Sequence, residues 1–148
     1  MAEVLFYHLT ESTLEQALPG LLERSLARGW RAVVQTGTEE RRDALDAHLW
    51  IFGDGSFLAH GTDREPHAAD QPILLTVDGN NANGAQIRFM VDGAQPPDIA
   101  GYERAVFLFD GHDAAHVEAA REHWKSVKAG NAVTYWQQTE DKRWERKA

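Results

Sequence analysis

The sequence contains no cysteine, which excludes disulfide frameworks, thiolate metal sites and cysteine nucleophiles together. No apolar run reaches the ~18 residues that a membrane-spanning helix needs. The first residues, MAEVLFYHL, carry neither a basic leader region nor a small-residue cleavage site. Secretion and membrane insertion are therefore not expected, and a cytoplasmic location is. Basic residues are scarce, with 15 Lys and Arg against 23 Asp and Glu for a net charge of −8. A field of that sign repels phosphate backbones and acidic membranes. Phosphate-cradling glycine loops are missing as well, since neither G-x-G-x-x-G nor G-x-x-x-x-G-K-[ST] occurs.

What remains is ordinary globular material: 148 residues, 43% hydrophobic and 26% charged, expected to form a single domain over 1–148. The charge, however, is unevenly spread. Residues 121–148 hold seven basic and four acidic residues, whereas residues 1–120 hold eight basic and nineteen acidic. All four lysines (Lys125, Lys128, Lys142 and Lys147) and three of the five tryptophans lie in that last segment.

Residues 3–9 form a short apolar run suited to a strand, followed by cap-like residues at Thr10 to Ser12. Leu14, Leu18, Leu21, Leu22 and Leu26 recur at helical spacing up to Gly29, with a kink or break expected near residue 18 because of Pro19. A strand at Trp30–Gln35 and a helix at Thr38–Trp50 follow. Residues 53–61 read as loop, and the polar stretch from Thr62 to Pro72 as a surface connection. Runs at Pro72–Val77 and Ala85–Val91 read as strands around an exposed Asp78 to Gly84 turn. Another strand at Arg104–Phe109, a helix over His112–Ala129, a strand at Ala132–Gln137 and a charged tail complete the chain. Strands and helices alternate at both ends, which predicts a three-layer, Rossmann-like α/β fold with a mainly parallel or mixed sheet and helices on both faces. Consecutive strands and turn signals in the middle suit an antiparallel excursion or a mixed sheet.

Neither β-to-α connection favours a phosphate. The first reads His8-Leu9-Thr10-Glu11-Ser12 without glycine, and the second, Thr36-Gly37-Thr38-Glu39-Glu40, places two carboxylates at the helix start. His112 and His116 stand four apart with His123 seven further on, a spacing compatible with zinc, but no Glu follows the first His and no third ligand is assured. A degenerate nucleotide- or metal-binding enzyme using the His112/His116 face is the alternative that this pattern leaves open. No catalytic constellation, cofactor or resident metal is expected.

The last helix carries a more specific pattern. Arg121, Trp124, Lys125 and Lys128 are related by steps of three and four, so they form one stripe of three cations flanking an indole. Lys125 and Lys128 also suit the C-terminal end of the helix dipole, and Trp124 fits either a core or a pocket wall. The stripe suits an acidic peptide ending in an aromatic or apolar residue. Trp50 and Phe57 form a second group, read either as an exposed apolar patch or as core.

These residues resemble the chi subunit of the bacterial DNA polymerase III holoenzyme. The matching pieces, in order, are Phe6-Tyr7-His8-Leu9, Leu45-Asp46 through Leu49-Trp50, Ser56-Phe57-Leu58 with His60-Gly61, Gln71-Pro72-Ile73, Ala120-Arg121 through Trp124-Lys125, Tyr135-Trp136-Gln137-Gln138 and Arg143-Trp144-Glu145. The family's usual proline is replaced by Ala59. The resemblance implies a non-catalytic adaptor that pairs with the psi subunit of the clamp-loader assembly and binds the acidic, Phe-terminated tail of single-stranded-DNA-binding protein. It implies that Arg121, Trp124 and Lys125 hold the tail, to which the helical stripe adds Lys128, and that Trp50 and Phe57 lie on the psi-facing side. Direct DNA contact is not expected.

Overall fold

The computed structural model describes residues 2–51 and 59–148. Its eight strands are β1 (Glu3–Leu9), β2 (Ala32–Gln35), β3 (His60–Thr62), β4 (Ile73–Thr76), β5 (Ile87–Met90), β6 (Arg104–Asp110), β7 (Ala132–Gln138) and β8 (Trp144–Arg146), and its helices are α1 (Leu14–Ala27), α2 (Glu39–Ile51) and α3 (Ala114–Val127). The strands form one sheet in the order β3-β4-β2-β5-β6-β1-β7-β8. All neighbours run parallel except the antiparallel pair of β7 and β8.

Side chains alternate across a strand, and the sheet accordingly separates two cores. Leu5, Leu9, Val34, Leu75, Phe89 and Leu108 pack with Leu18, Leu22, Leu45 and Leu49 of α1 and α2. Val4, Phe6, Val33, Met90 and Phe107 face the other way and pack with Ala120 and Val127 of α3. The helices thus cover both faces, as expected for a three-layer α/β fold.

Several local expectations change. α1 runs unbroken through Pro19. Proline removes the N–H that would serve the carbonyl four residues earlier, and here Nε2 of His48 on α2 serves that carbonyl, Glu15 O, at 2.7 Å. The middle of the chain makes no antiparallel excursion, since β4 and β5 do not pair with each other and instead flank β2 on either side, both parallel to it. Buried Arg88 explains how the connection is held. Its guanidinium donates to Asp78 O (2.5 Å), Asn80 O (3.0 Å), Tyr102 Oη (3.0 Å) and Gln35 Oε1 (3.2 and 2.8 Å), so the apparent hairpin turn is tied down as a crossover. Residues His60 and Gly61, read as loop, begin the edge strand β3, and the charged tail contributes β8.

Candidate functional site

α3 starts where the carboxylate of Asp113 accepts from His116 N at 3.1 Å, which satisfies a free N–H of the first turn. Gly130 follows its end at φ +84°. The helix buries Ala120, His123 and Val127, leaving Trp124 half-buried at the margin of this face. Beneath it lies an aromatic ladder. Phe6 of β1 is in register with Phe107 of β6 and Tyr135 of β7, and its ring stacks on both, with centroids 4.6 and 6.4 Å apart. Trp124 meets Phe6 and Tyr135 edge-on at 5.4 and 5.9 Å, a preferred aromatic geometry. The indole is therefore anchored in the core and forms a wall at the same time.

Beside it opens a groove of about 590 Å³ lined by Val117, Arg121, Trp124, Lys125, Tyr135 and Ala148, with Glu118 and Glu122 at its margin. The floor is aromatic and aliphatic, and Arg121 and Lys125 stand exposed at the rim. Lys125 is 3.4 Å from Glu122, and both side chains are about two-thirds or more exposed, at 73% and 66%. A pair this open to water is weak and exchangeable. The arrangement can accept a carboxylate at the rim and an apolar or aromatic side chain against the indole. Lys128 is placed differently, capping the C-terminus of α3 and lying outside the groove lining.

Tyr135 is the residue that the helical stripe did not reveal, although its alternation with Val133 on β7 places both on the α3 side. Its hydroxyl is 2.8 Å from Nδ1 of His8. Burial pushes the Tyr135 phenol up, against the pull of Arg121, and burial pushes the His8 imidazole down. Gly111 makes room for this imidazole, since a Cβ there would lie 2.2 Å from Nε2 of His8. C-terminal residues close the other side, with Lys147 N donating to Tyr135 O at 2.7 Å.

The three histidines of α3 and its approach do not converge. His112 Nε2 bonds Thr10 O at 2.8 Å, His116 Nδ1 lies 3.4 Å from Asp113, and buried His123 reaches Gln95 Oε1 at 3.3 Å. Among the described residues, no group of three or more His, Cys, Asp and Glu is placed to hold a metal. At the C-terminal end of β1, where an open α/β sheet would take a phosphate, the N–H groups of Thr10, Glu11 and Ser12 all point to Oε1 of Gln138, at 3.3, 2.9 and 2.9 Å. The side-chain amide already occupies that cradle.

Trp50 lies on the α1/α2 side of the sheet, near β3 and β4, and is 56% exposed. Its ring packs 4.6 Å from that of His60. Phe57 falls outside the described residues. The α3 groove and Trp50 thus occupy opposite faces and opposite ends of the sheet. Among the described residues, no helix is long and apolar enough to cross a membrane.

A model of the family described as "DNA polymerase III chi subunit, HolC" matches residues 1–134. The chain belongs to this chi family. A relative described as "Probable DNA polymerase III subunit chi", from Rickettsia prowazekii (strain Madrid E), is 27% identical over 100 residues, which are 68% of this chain and 59% of that protein. The chain thus spans less than two-thirds of that relative's length. The chi match ends within β7, so Tyr135, β8 and Ala148 lie beyond it, although Tyr135 and Ala148 line the groove.

Proposed function

We propose that this chi-family chain is a non-catalytic accessory subunit of DNA replication. In this reading the α3 groove holds the acidic, Phe-terminated tail of single-stranded-DNA-binding protein, and the Trp50 and Phe57 side meets the psi subunit and, through it, the clamp loader. One observation carries the reading: in a chain of net charge −8, Arg121 and Lys125 flank a groove walled by Trp124 and Tyr135. A guanidinium can hold a carboxylate through two parallel N–H bonds, and an indole beside it supplies apolar contact for a terminal phenyl ring. The partners are thereby bound at separate ends of the sheet, so one does not compete with the other for space. The acidic remainder keeps the chain off DNA, and the contact with DNA is indirect.

Fluorescence anisotropy with a labelled acidic peptide ending in Phe tests the reading. Saturable binding that weakens as salt rises is expected. Equal affinity for wild type and Arg121→Ala would remove the groove from the reading. For the other surface, light scattering should show a monomer that becomes a heterodimer on adding psi.

A further inference from the structure

A second groove, of about 400 Å³, lies on the α1 side of the sheet, on the face opposite α3. Buried Ile87, Phe89 and Val106 form its floor. Arg24 and Arg28, one turn apart on and just beyond α1, stand exposed at one rim, and Arg104 rises from the first residue of β6. Arg104 donates from Nη2 to Glu3 at 2.9 Å, but its Nε is buried without an acceptor. Among the described residues, neither Arg24 nor Arg28 has a carboxylate partner. The phenol of Tyr7, pushed up by burial, is pulled back by Arg104 and Arg24, which puts both cations within electrostatic reach of one hydroxyl in the groove.

Cations favour the end of a helix, which accounts for Arg24 and Arg28 alone and not for Arg104 facing them from the sheet. The chemistry calls for several negative charges spread along an apolar body. A single small anion would leave most of the guanidinium donors without acceptors. Single-stranded nucleic acid needs open aromatic faces for stacking, and none of the three aromatics here offers one: Phe89 is buried, the Arg28 guanidinium sits 4.1 Å from the Trp30 ring centroid, with Arg104 at 5.5 Å, and Tyr7 packs on Trp144 at 4.5 Å. We propose that this groove docks an acidic peptide segment, laying an apolar side chain on Ile87, Phe89 and Val106 and setting carboxylates against Arg24, Arg28 and Arg104. The site is independent of the α3 groove and would let one chain hold two acidic segments on opposite faces.

The test uses the full chain carrying Arg121→Ala and Lys125→Ala, so that the α3 groove does not compete. The probe is a fluorescein-labelled peptide of Asp and Glu with one central Leu, and a labelled oligo-dT is the comparison. Saturable peptide binding is expected, with at least about tenfold loss on adding Arg24→Ala and Arg28→Ala, the scale of losing charge-assisted hydrogen bonds. Replacing the central Leu by Gly should also weaken it. In the protein NMR spectrum, the Trp30 indole signal, assigned through Trp30→Phe, should shift on titration. Absence of saturable binding, binding that survives loss of both arginines, or tighter binding of oligo-dT through the same arginines would each overturn the proposal. Because the α3 groove is already disabled, none of these outcomes bears on the tail-binding reading.

Discussion

Nε2 of His48 donates to the backbone carbonyl of Glu15 at 2.7 Å, replacing the N–H that Pro19 cannot supply. The carboxylate of the same Glu15 pairs with Arg41 of α2 at 2.5 Å. A proline within α1 has thus become an attachment point for α2, and the orphaned acceptor is satisfied between helices instead of within one.

This attachment predicts a coupled pair of mutations. His48→Ala should destabilise the protein by about 1–2 kcal/mol, the scale of a half-buried carbonyl losing its partner. Pro19→Ala restores an intrahelical N–H, so the double variant should lose less than His48→Ala alone. Urea denaturation of the four proteins in the cycle measures the coupling, and strict additivity would show that His48 does not serve that carbonyl.

At the α3 groove, Arg121→Ala is expected to weaken the labelled Phe-ended tail roughly tenfold or more at low salt, the range for a charged hydrogen-bonding group. Lys128→Ala should change affinity by less than about twofold, because Lys128 caps the helix and its charge is exposed. Anisotropy titrations at two salt concentrations distinguish these outcomes, and equal losses from both would mean that the stripe acts as a diffuse charge and not as a site.

Stability should fall on mild acidification. Burial holds the imidazoles of His123 and His8 below their ordinary value. The unfolded chain therefore binds protons that the folded chain refuses, and stability present above about pH 6.5 is lost as pH falls towards the folded values. His123→Gln should flatten part of that slope in urea melts collected between pH 7.5 and pH 5, as ~2 to 3 pH units bracket the ordinary histidine range. A slope unchanged in both His123→Gln and His8→Gln would contradict this account.

Gln138 offers a further test. Its Oε1 accepts three consecutive N–H groups and its Nε2 donates to Ser12 Oγ at 2.9 Å. Gln138→Ala should cost about 2–4 kcal/mol by leaving those donors unpaired in a partly buried turn. Gln138→Glu keeps the acceptor and should cost distinctly less at neutral pH. Thermal or urea unfolding checks the order, and equal losses would assign the effect to packing.

Much of this architecture is legible along the chain because the relevant forces are local. Apolar spacing marks α1 and α3, Gly29 and Gly130 adopt positive φ just beyond them, and the 3.6-residue period alone aligns Arg121, Trp124 and Lys125. The missing glycine loops likewise argue against a phosphate cradle. Pairing partners are a different matter. Nothing near Asp78 to Gly84 tells that Arg88 and Gln35 will turn an apparent hairpin into a crossover, because the decisive bond spans 53 residues. The same holds for Gln138, which closes a cradle 126 to 128 residues away, and for Tyr135, which joins Trp124 only because β7 lies beside β1.

Periodicity, caps and charge are properties of neighbouring residues, so most helices and strands, the place where positive charge collects and the helix that carries it are written along the chain, whereas the short edge strands β3 and β8 are not. That Trp124 is both core and wall, that Lys128 stands outside the groove, and that Arg104 faces Arg24 and Arg28 across a second groove emerges with folding. Those relationships depend on strand order and on burial shared by distant segments, which the packed sheet alone brings together.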